Sequence, residues 1–358
     1  MRFNFSEDQL LLQQTVRDFL QAEHTPEHVR ALWETETRRS PEFWAKLAEI
    51  GVPGLRVPEK YGGLEMDEVD LVLVLEETGH VALAEPVIPT AVVGVPLLVD
   101  LEARGLDSRG LCAHWLPKVA EGEAILAVGH SESPFVSDAH VADLLLLASG
   151  DELHAVSPGD ARLTLEPASD PSQRLVSVEW TPSADTRVAD GEAARALAAA
   201  SLDRGALACA AQQLGVGQKL IEMAVEYACE RKQFGVPIGS FQAIKHMLAD
   251  VKVKLEYARS VVYRAAYSVA RDTRCRAVDV SMAKLAACEP AVDAAKIALQ
   301  VYGALGYTWE QDLHIWMRRA WSLDLAFGDG AFHRARVSDG VIDGALPAEN
   351  FGYSAPSA

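Results

Sequence analysis

The chain has 358 residues, of which 49% are hydrophobic and 23% are charged, and this balance excludes a disordered or fibrous protein. Its formal net charge of −18 disfavours a nucleic acid or an anionic membrane as a partner, because both bind basic surfaces. The sequence contains no uncharged apolar run long enough to cross a membrane and does not start like a signal peptide, so we expect a cytoplasmic protein.

The first third of the chain has the pattern of a helical domain. Ser6 precedes Glu7 and Asp8 as a helix N-cap and opens an amphipathic apolar pattern. Further helices are predicted over 41–50, 67–78, 86–101 and 111–120, with glycine and proline in the turns between them. We therefore predict an N-terminal helical domain over residues 1–123.

The pattern changes after residue 123. The run Ala142 to Ser149 is apolar, and Arg174 to Trp180 alternates with a period near two, as half-buried strands do. This region predicts a small middle β domain over residues 124–188.

From Asp190 the pattern is helical again. Alanine-rich segments predict long helices over about 191–230, 240–271 and 276–302, and a last helix from about Leu313 to Ile342. Four such helices indicate a bundle over residues 189–345, and 346–358 has the composition of a frayed tail. The predicted fold is thus mainly α with a small β domain.

Two motifs in the bundle suit an anionic ligand. Arg231 opens the sequence Arg-Lys-Gln-Phe-Gly, and its guanidinium offers a planar donor fork that matches a pyrophosphate. In the segment 300–308, Gly303 and Gly306 let the backbone approach a ligand closely, and free N–H groups there can hold anionic oxygens.

These motifs, together with Pro58 to Gly63 and the order helical domain, β domain, four-helix bundle, resemble the acyl-CoA dehydrogenase family. The resemblance implies that FAD is bound and that an acyl-CoA thioester is desaturated between Cα and Cβ. It also implies that one subunit grips the adenosine-diphosphate half of the flavin held mainly by its neighbour. The positions implied here are Arg231, Gln233, Phe234, Gln242, Gln300, Gly303 and Ala304. Ala304 departs from the family, which usually has a second glycine there, and its methyl group would narrow the space for the phosphates.

The family's reaction needs a carboxylate base to remove the α-proton. In many members this glutamate precedes a glycine in the segment entering the final helix, where this chain has Phe327. Positions used by other members, in the first helix of the bundle, hold Gly205 and Gln212. Asp329 and Asp203 are the nearby acids and remain weak candidate bases, although both fit ordinary roles at a helix N-terminus or turn.

The β domain departs from the family where other members contact the flavin ring. The segment Ala124 to Val128 runs on through residues 129–134 to Phe135 without the family's T-E-P-x-x-G-S-D loop and the hairpin that follows it. The chain therefore resembles the non-catalytic type of subunit in heteromeric, α2β2 acyl-CoA dehydrogenases of bacterial steroid side-chain degradation. That resemblance implies FAD shared with a catalytic partner subunit.

Two alternatives stay open at this point. One is a self-sufficient homomeric dehydrogenase that uses Asp329 or Asp203, and the other is a flavin-free scaffold. The Arg231 and Gln300 motifs argue against a scaffold, since a scaffold needs no phosphate donors. The five cysteines are scattered without a CxxC pair, so we expect no metal site and no disulfide framework. The sequence leaves the acyl group and the electron acceptor unidentified.

Overall fold

A computed structural model describes residues 4–342 of the chain. The predicted tail, 346–358, and residues 343–345 of the predicted bundle lie outside the described residues. The helices before the sheets are α1 (Glu7–Glu23), α2 (Pro26–Trp33), α3 (Pro41–Glu49), α4 (Glu68–His80), α5 (Val95–Ala103, preceded by a π-helical stretch over Ile88–Gly94) and α6 (Leu111–Ala120). The helices after them are α7 (Gly191–Glu230), α8 (Gln242–Ala270), α9 (Arg276–Tyr302), α10 (Leu313–Leu325) and α11 (Gly330–Val341).

The strands are β1 (Leu126–Gly129), β2 (Val136–Ser137), β3 (Leu144–Ser149), β4 (Glu152–Val156), β5 (Arg162–Glu166), β6 (Leu175–Glu179), β7 (Arg187–Asp190), β8 (Lys232–Gln233) and β9 (Val236–Pro237). This element order confirms the predicted fold class, with helices first, sheets in the middle and helices again. None of the helices within residues 4–342 is both long and apolar enough to span a membrane.

The chain divides into two compact units. Among the described residues, the helical unit contains 4–26, Glu68–Leu83 and 206–342, and the sheet unit contains Glu27–Asp67 and Ala84–Gly205.

In the sheet unit, β1–β3–β4–β7 form one sheet, in which only β1 and β3 are parallel, and β2–β6–β5 form an antiparallel second sheet. Apolar side chains from both sheets share one core, which includes Ala127, Leu145, Val156 and Val176. The Ala142–Ser149 run and the alternating 174–180 segment became β3 and β6, because their apolar residues supply this core.

A buried charged cluster ties the loop before α3 to the sheets. The Arg39 guanidinium pairs with the Asp138 carboxylate, and the Glu85 carboxylate accepts a hydrogen bond from the Ser40 backbone N–H at 3.0 Å. Arg39, Asp138 and Glu85 are each 6% exposed. Burial raises the pKa of Glu85 to about 7; the charge of Arg39 and the hydrogen bond from Ser40 oppose this rise, and the charge of Asp138 adds to it.

In the helical unit, α4 crosses α7 with the two backbones in contact. A Cβ added at Gly79 would lie 2.0 Å from the Gln212 carbonyl oxygen, and one added at Gly215 would lie 1.9 Å from that of Glu76. Each glycine thus makes room for the backbone of the other helix, and Gln212 Nε2 adds a 3.0 Å hydrogen bond to Thr78 Oγ1. The crossing fixes the position of α7, the helix that leads to the Arg231 motif.

The predicted last helix, Leu313 to Ile342, was wrong as a single element. It is interrupted after Leu325, where Phe327 and Gly328 adopt left-handed φ values of 55° and 98°. Asp329 then caps α11, with its side chain accepting a 2.8 Å hydrogen bond from the Phe332 N–H. The prediction also missed α2, which Pro26 opens at the first helical position.

We predict that Gly215→Ala lowers the free energy of unfolding by about 2 kcal/mol or more, since the added methyl group meets backbone atoms that cannot rotate away. Urea unfolding followed by circular dichroism measures this. Gly159→Ala is the control, because its Cβ would have no neighbour closer than 3.8 Å, so it should change little. Equal losses in the two variants would contradict the close helix contact.

We also predict a pH-dependent contribution from Glu85. Its pKa is raised from 4.5 in the unfolded chain to about 7 in the fold. The contribution of Glu85 to the free energy of unfolding is therefore most favourable below pH 4.5. It decreases by at most about 3 kcal/mol as the pH rises to about 7.

Glu85→Gln should abolish this decrease in stability, as measured by urea unfolding at a series of pH values. Burial also raises the pKa of Glu76 to about 7, but Glu76 is the same in the variant and the parent. The difference between their two pH profiles of stability therefore reports Glu85. Glu49→Gln, at an exposed position, should keep the parental pH profile. The same slope in Glu85→Gln and the parent would refute the assignment.

Candidate functional site

Arg231 lies at the exposed end of α7, where a tight hairpin begins. The hairpin pairs β8 with β9 through Phe234 and Gly235, whose φ values of 54° and 83° are those of a two-residue turn with both residues left-handed. Phe234 is 95% exposed. Within residues 4–342 the Arg231 guanidinium has no hydrogen-bond or salt-bridge partner. The hairpin therefore presents a free cation and an aromatic ring outward.

The second motif forms the turn after α9. Gly303 has φ 60° and ψ −138°, which is accessible to glycine and strained for other residues, and a Cβ there would meet no atom within 4 Å. Ala304 lies in the short 3-10 turn Gly303–Tyr307, and its φ is not positive. The first position of the pair thus requires glycine for its backbone, whereas alanine fits the second without strain.

Two stacked rings bring these motifs to the same end of the helical unit. The rings of Tyr227, one helical turn before Arg231, and Tyr302, next to Gly303, lie 4.2 Å apart at an angle of 13°. The Ile238 N–H donates to the Arg231 carbonyl oxygen at 2.8 Å, which returns the chain to the start of α8 at Gln242. The seven predicted cofactor positions are all exposed there: Arg231, Gln233, Phe234, Gln242, Gln300, Gly303 and Ala304.

Charge is unevenly distributed around the stacked rings. Burial, and after it the charges of Glu226, Asp312 and Glu230, raise the pKa of the Tyr302 hydroxyl to about 12. A cavity of about 590 Å³ beside Tyr302 is also lined by carboxylates, among them Glu226 and Asp312. Lys219 and His80 line the same cavity, so its lining carries charges of both signs.

The Arg231 guanidinium has no hydrogen-bond or salt-bridge partner within residues 4–342, and a Cβ at Gly303 would meet no atom within 4 Å. The Gly303 N–H itself donates to the Leu299 carbonyl oxygen. The chemistry of the exposed guanidinium suits a pyrophosphate such as that of FAD. An exposed cation of this kind cannot by itself shield a flavin from water.

The positions aligned with the family base carry no carboxylate and have other contacts. Gln212 is buried and donates to Thr78, as described above, and Gly205 is buried within α7. Asp329 is exposed and its side chain caps α11. Asp203 is fully buried in the sheet unit.

Phe327 lies in the turn between α10 and α11, which is held by a buried lysine. Lys284 is 2% exposed, and its three Nζ–H groups are shared among four backbone carbonyl oxygens. The acceptors are Leu323 at 2.8 Å, Asp324 at 3.1 Å, Ala326 at 2.9 Å and Gly328 at 3.3 Å. One ammonium group thus satisfies the last carbonyls of α10 and fixes the turn that follows.

His333 holds the same turn from α11. Burial, helped by the charges of Lys284 and Arg336, lowers the pKa of His333 to about 4, so the ring is neutral near pH 7. Its Nε2–H donates to the Phe327 carbonyl oxygen at 3.1 Å, and Nδ1 lies 3.1 Å from Ser281 Oγ, whose hydroxyl also donates to the Ala277 carbonyl oxygen at 2.8 Å. Sequence reasoning missed Lys284 and His333, because nothing in their local sequence links them to residue 327.

Comparison with known proteins gives consistent matches. Sequence models of the acyl-CoA dehydrogenase N-terminal and C-terminal domains match residues 6–123 and 195–342. The acyl-CoA dehydrogenase IpdE2 of Mycolicibacterium smegmatis is 32% identical over 316 residues, which cover 88% of this chain and 93% of IpdE2.

Two solved structures have the same fold. A chain of the ChsE4–ChsE5 complex from Mycobacterium tuberculosis superposes with a TM-score of 0.83 at 28% identity, covering 95% of this chain and 98% of that one. A variant of the Tcur3481–Tcur3483 steroid acyl-CoA dehydrogenase superposes with a TM-score of 0.82 over 95% of this chain and 99% of that one, and at 24% identity it shows the fold alone.

We predict that Lys284→Met lowers the free energy of unfolding by at least about 2 kcal/mol, because it leaves buried carbonyl groups without a donor. The measurement is urea unfolding combined with hydrogen exchange of the amides at 326–329, which should lose protection. Lys296→Met, at an exposed lysine of the same helix, should change stability by less than about 0.5 kcal/mol. Unchanged exchange in Lys284→Met would show that the turn does not depend on this ammonium.

Proposed function

Because the chain belongs to the acyl-CoA dehydrogenase family, we propose that it is a non-catalytic type of subunit that completes the FAD site of a catalytic partner chain. The observation that carries the proposal is the exposed Arg231 guanidinium, which has no partner within residues 4–342 and lies at the same end of the helical unit as the open Gly303 turn. An arginine with this geometry binds a pyrophosphate only if another chain brings the phosphates to it.

The absence of a carboxylate at the aligned base positions supports the non-catalytic role. Flavin bound in this family accepts the hydride that leaves the β-carbon of an acyl-CoA. The α-proton must go to a carboxylate, and Phe327, Gly205 and Gln212 cannot accept it. Asp329 is already the N-cap of α11, two residues beyond the aligned position, and such catalysis depends on placement within fractions of an ångström.

The short connection between β1 and β2 supports the same division of labour. The two strands are joined by residues 130–135, and Ser133 closes this loop by accepting from the Phe135 N–H at 3.2 Å and donating to the Phe135 carbonyl oxygen at 2.9 Å. The loop contains no hairpin. The partner would accordingly supply the contacts to the flavin ring as well as the base.

We further propose an α2β2 assembly with the catalytic subunit, acting on a steroid side-chain acyl-CoA. The likeness to a chain of the ChsE4–ChsE5 complex, whose name joins two different chains, supports a heteromeric assembly. The substrate class rests on the resemblance of this shortened chain to the subunits of steroid side-chain degradation.

We predict that Arg231→Ala lowers flavin retention by the assembled complex about 10- to 100-fold. Each charge-assisted hydrogen bond to the pyrophosphate contributes about 1.5–3 kcal/mol, and 1.4 kcal/mol is a factor of ten. Arg231→Lys should restore retention in part, since an ammonium group lacks the planar fork.

The measurement is the flavin-to-protein ratio after gel filtration of complexes with equal assembly state. Arg274→Ala is a matched control, because Arg274 is an exposed arginine in the turn between α8 and α9 and lies at the other end of α8 from Gln242. Equal flavin content in all four complexes would refute the role of Arg231.

A further inference from the structure

Arginine side chains hold three segments of the sheet unit together: 36–40, 138–140 and 171–174. The Arg38 Nη1 donates to the Pro171 carbonyl oxygen at 3.0 Å. In the opposite direction, the Arg174 Nη2 donates to the Glu36 carbonyl oxygen at 3.2 Å. Each of these two arginines thus reaches from its own segment to the backbone of the other segment.

A third arginine belongs to the same cluster and is buried. Arg39 is 6% exposed, its Nη1 donates to the Arg38 carbonyl oxygen at 2.7 Å, and its Nη2 pairs with the Asp138 carboxylate. The Asp138 N–H in turn donates to the Arg174 carbonyl oxygen at 2.9 Å. Direct hydrogen bonds therefore link Arg38, Arg39 and Arg174, which we call the arginine cluster.

The arginine cluster carries an excess of positive charge. Within residues 4–342, Asp138 is the one carboxylate that forms an ion pair with any of its three guanidinium groups. This leaves two positive charges, and Glu85, with its pKa at about 7, offsets only part of one. Burial, and after it the charges of Arg38 and Arg39, lower the pKa of Arg174. The guanidinium groups therefore lie close enough to repel one another.

Hydrogen bonds within the chain use only a small part of the donors in this cluster. A guanidinium group has five N–H donors, whereas the Arg38 and Arg174 side chains each donate one hydrogen bond within residues 4–342. Both side chains are half-buried, so the cluster is open to solvent. His140, whose ring donates to the Thr37 carbonyl oxygen at 2.9 Å, is neutral near pH 7 because burial lowers its pKa. A bound anion would relieve the repulsion and use the remaining donors.

We propose that Arg38 and Arg174 bind a phosphate group of a small ligand. The planar donor fork of a guanidinium matches phosphate oxygens. A phosphate group carries a charge of about −1.5 to −2 near pH 7, close to the excess charge of the cluster, whereas a carboxylate would neutralise only one cation. A nucleic acid is disfavoured as the source of the phosphate, because the chain has a net charge of −18.

This site goes beyond the proposed function, because it needs neither Arg231 nor a partner chain. Titration calorimetry of the full chain with inorganic phosphate at pH 7 and constant ionic strength tests it. All chains carry Arg231→Ala, which removes the exposed guanidinium of the hairpin, so failure here is separate from failure of the proposed flavin contact. We expect a Kd of about 1 mM or tighter, since two arginines donate charge-assisted hydrogen bonds.

The variants locate the bound phosphate. Arg38→Gln or Arg174→Gln should weaken binding about tenfold or more, because each removes one charge and its donor fork. Arg104→Gln, at an exposed arginine of the same unit, should bind phosphate like its background. Coenzyme A and FAD, titrated in the same way, identify the source. The one that binds more tightly than inorganic phosphate and depends on both arginines carries the recognised group, and equal binding of all three means that phosphate alone is recognised.

Chemical modification provides a test without substitutions in the cluster. Phenylglyoxal reacts with arginine side chains, and phosphate should slow its reaction with Arg38 and Arg174 severalfold while leaving Arg104 unchanged, as measured by mass spectrometry. A chain that binds no phosphate overturns the proposal. So does binding that Arg38→Gln and Arg174→Gln leave unchanged, or modification of both arginines at the same rate with and without phosphate.

Discussion

The buried ammonium group of Lys284 is the interaction on which the last part of the helical unit depends. A cation without water must be surrounded by acceptors, and here these are the free carbonyls where α10 ends and the turn begins. The turn then holds Phe327 and Gly328 in left-handed conformations and delivers Asp329 to cap α11. The turn is therefore fully held in this chain although residue 327, the position aligned with the family base, is a phenylalanine.

The fold was predictable where local signals agree with tertiary packing. The expected helices at 191–230 and 276–302 have those bounds in the structure, because alanine-rich segments with glycine or a polar turn at both ends leave little choice of start and stop. The break after Leu325 was missed because its main determinant, Lys284, is 42 residues away from Ala326 in sequence. A local signal existed nonetheless, since Gly328 followed by Asp329 is a helix stop followed by an N-cap.

The sequence predicts the candidate site only as a set of positions. Its motifs predict that Arg231 and Gly303 lie near a phosphate, and this stays a prediction. The sequence does not show that the guanidinium has no partner within residues 4–342 or that Gly303 faces open space. The stacked Tyr227 and Tyr302 rings bring the two motifs together, and no spacing rule connects residues so far apart. Likewise the Gln212 amide bonds to α4, a contact that depends on the glycines that let the two helices meet.

The placement of Arg231 has a consequence for how such a subunit would work. On an exposed surface a free guanidinium is well hydrated and contributes little to the stability of the isolated chain. Once another chain covers it with a pyrophosphate, the same charge lies in a drier place, where each hydrogen bond is stronger. Binding energy would therefore be gained only when flavin and both chains are present together. The two binding equilibria would then be linked. If association of the subunits tightens flavin binding by a given factor, bound flavin tightens association of the subunits by the same factor.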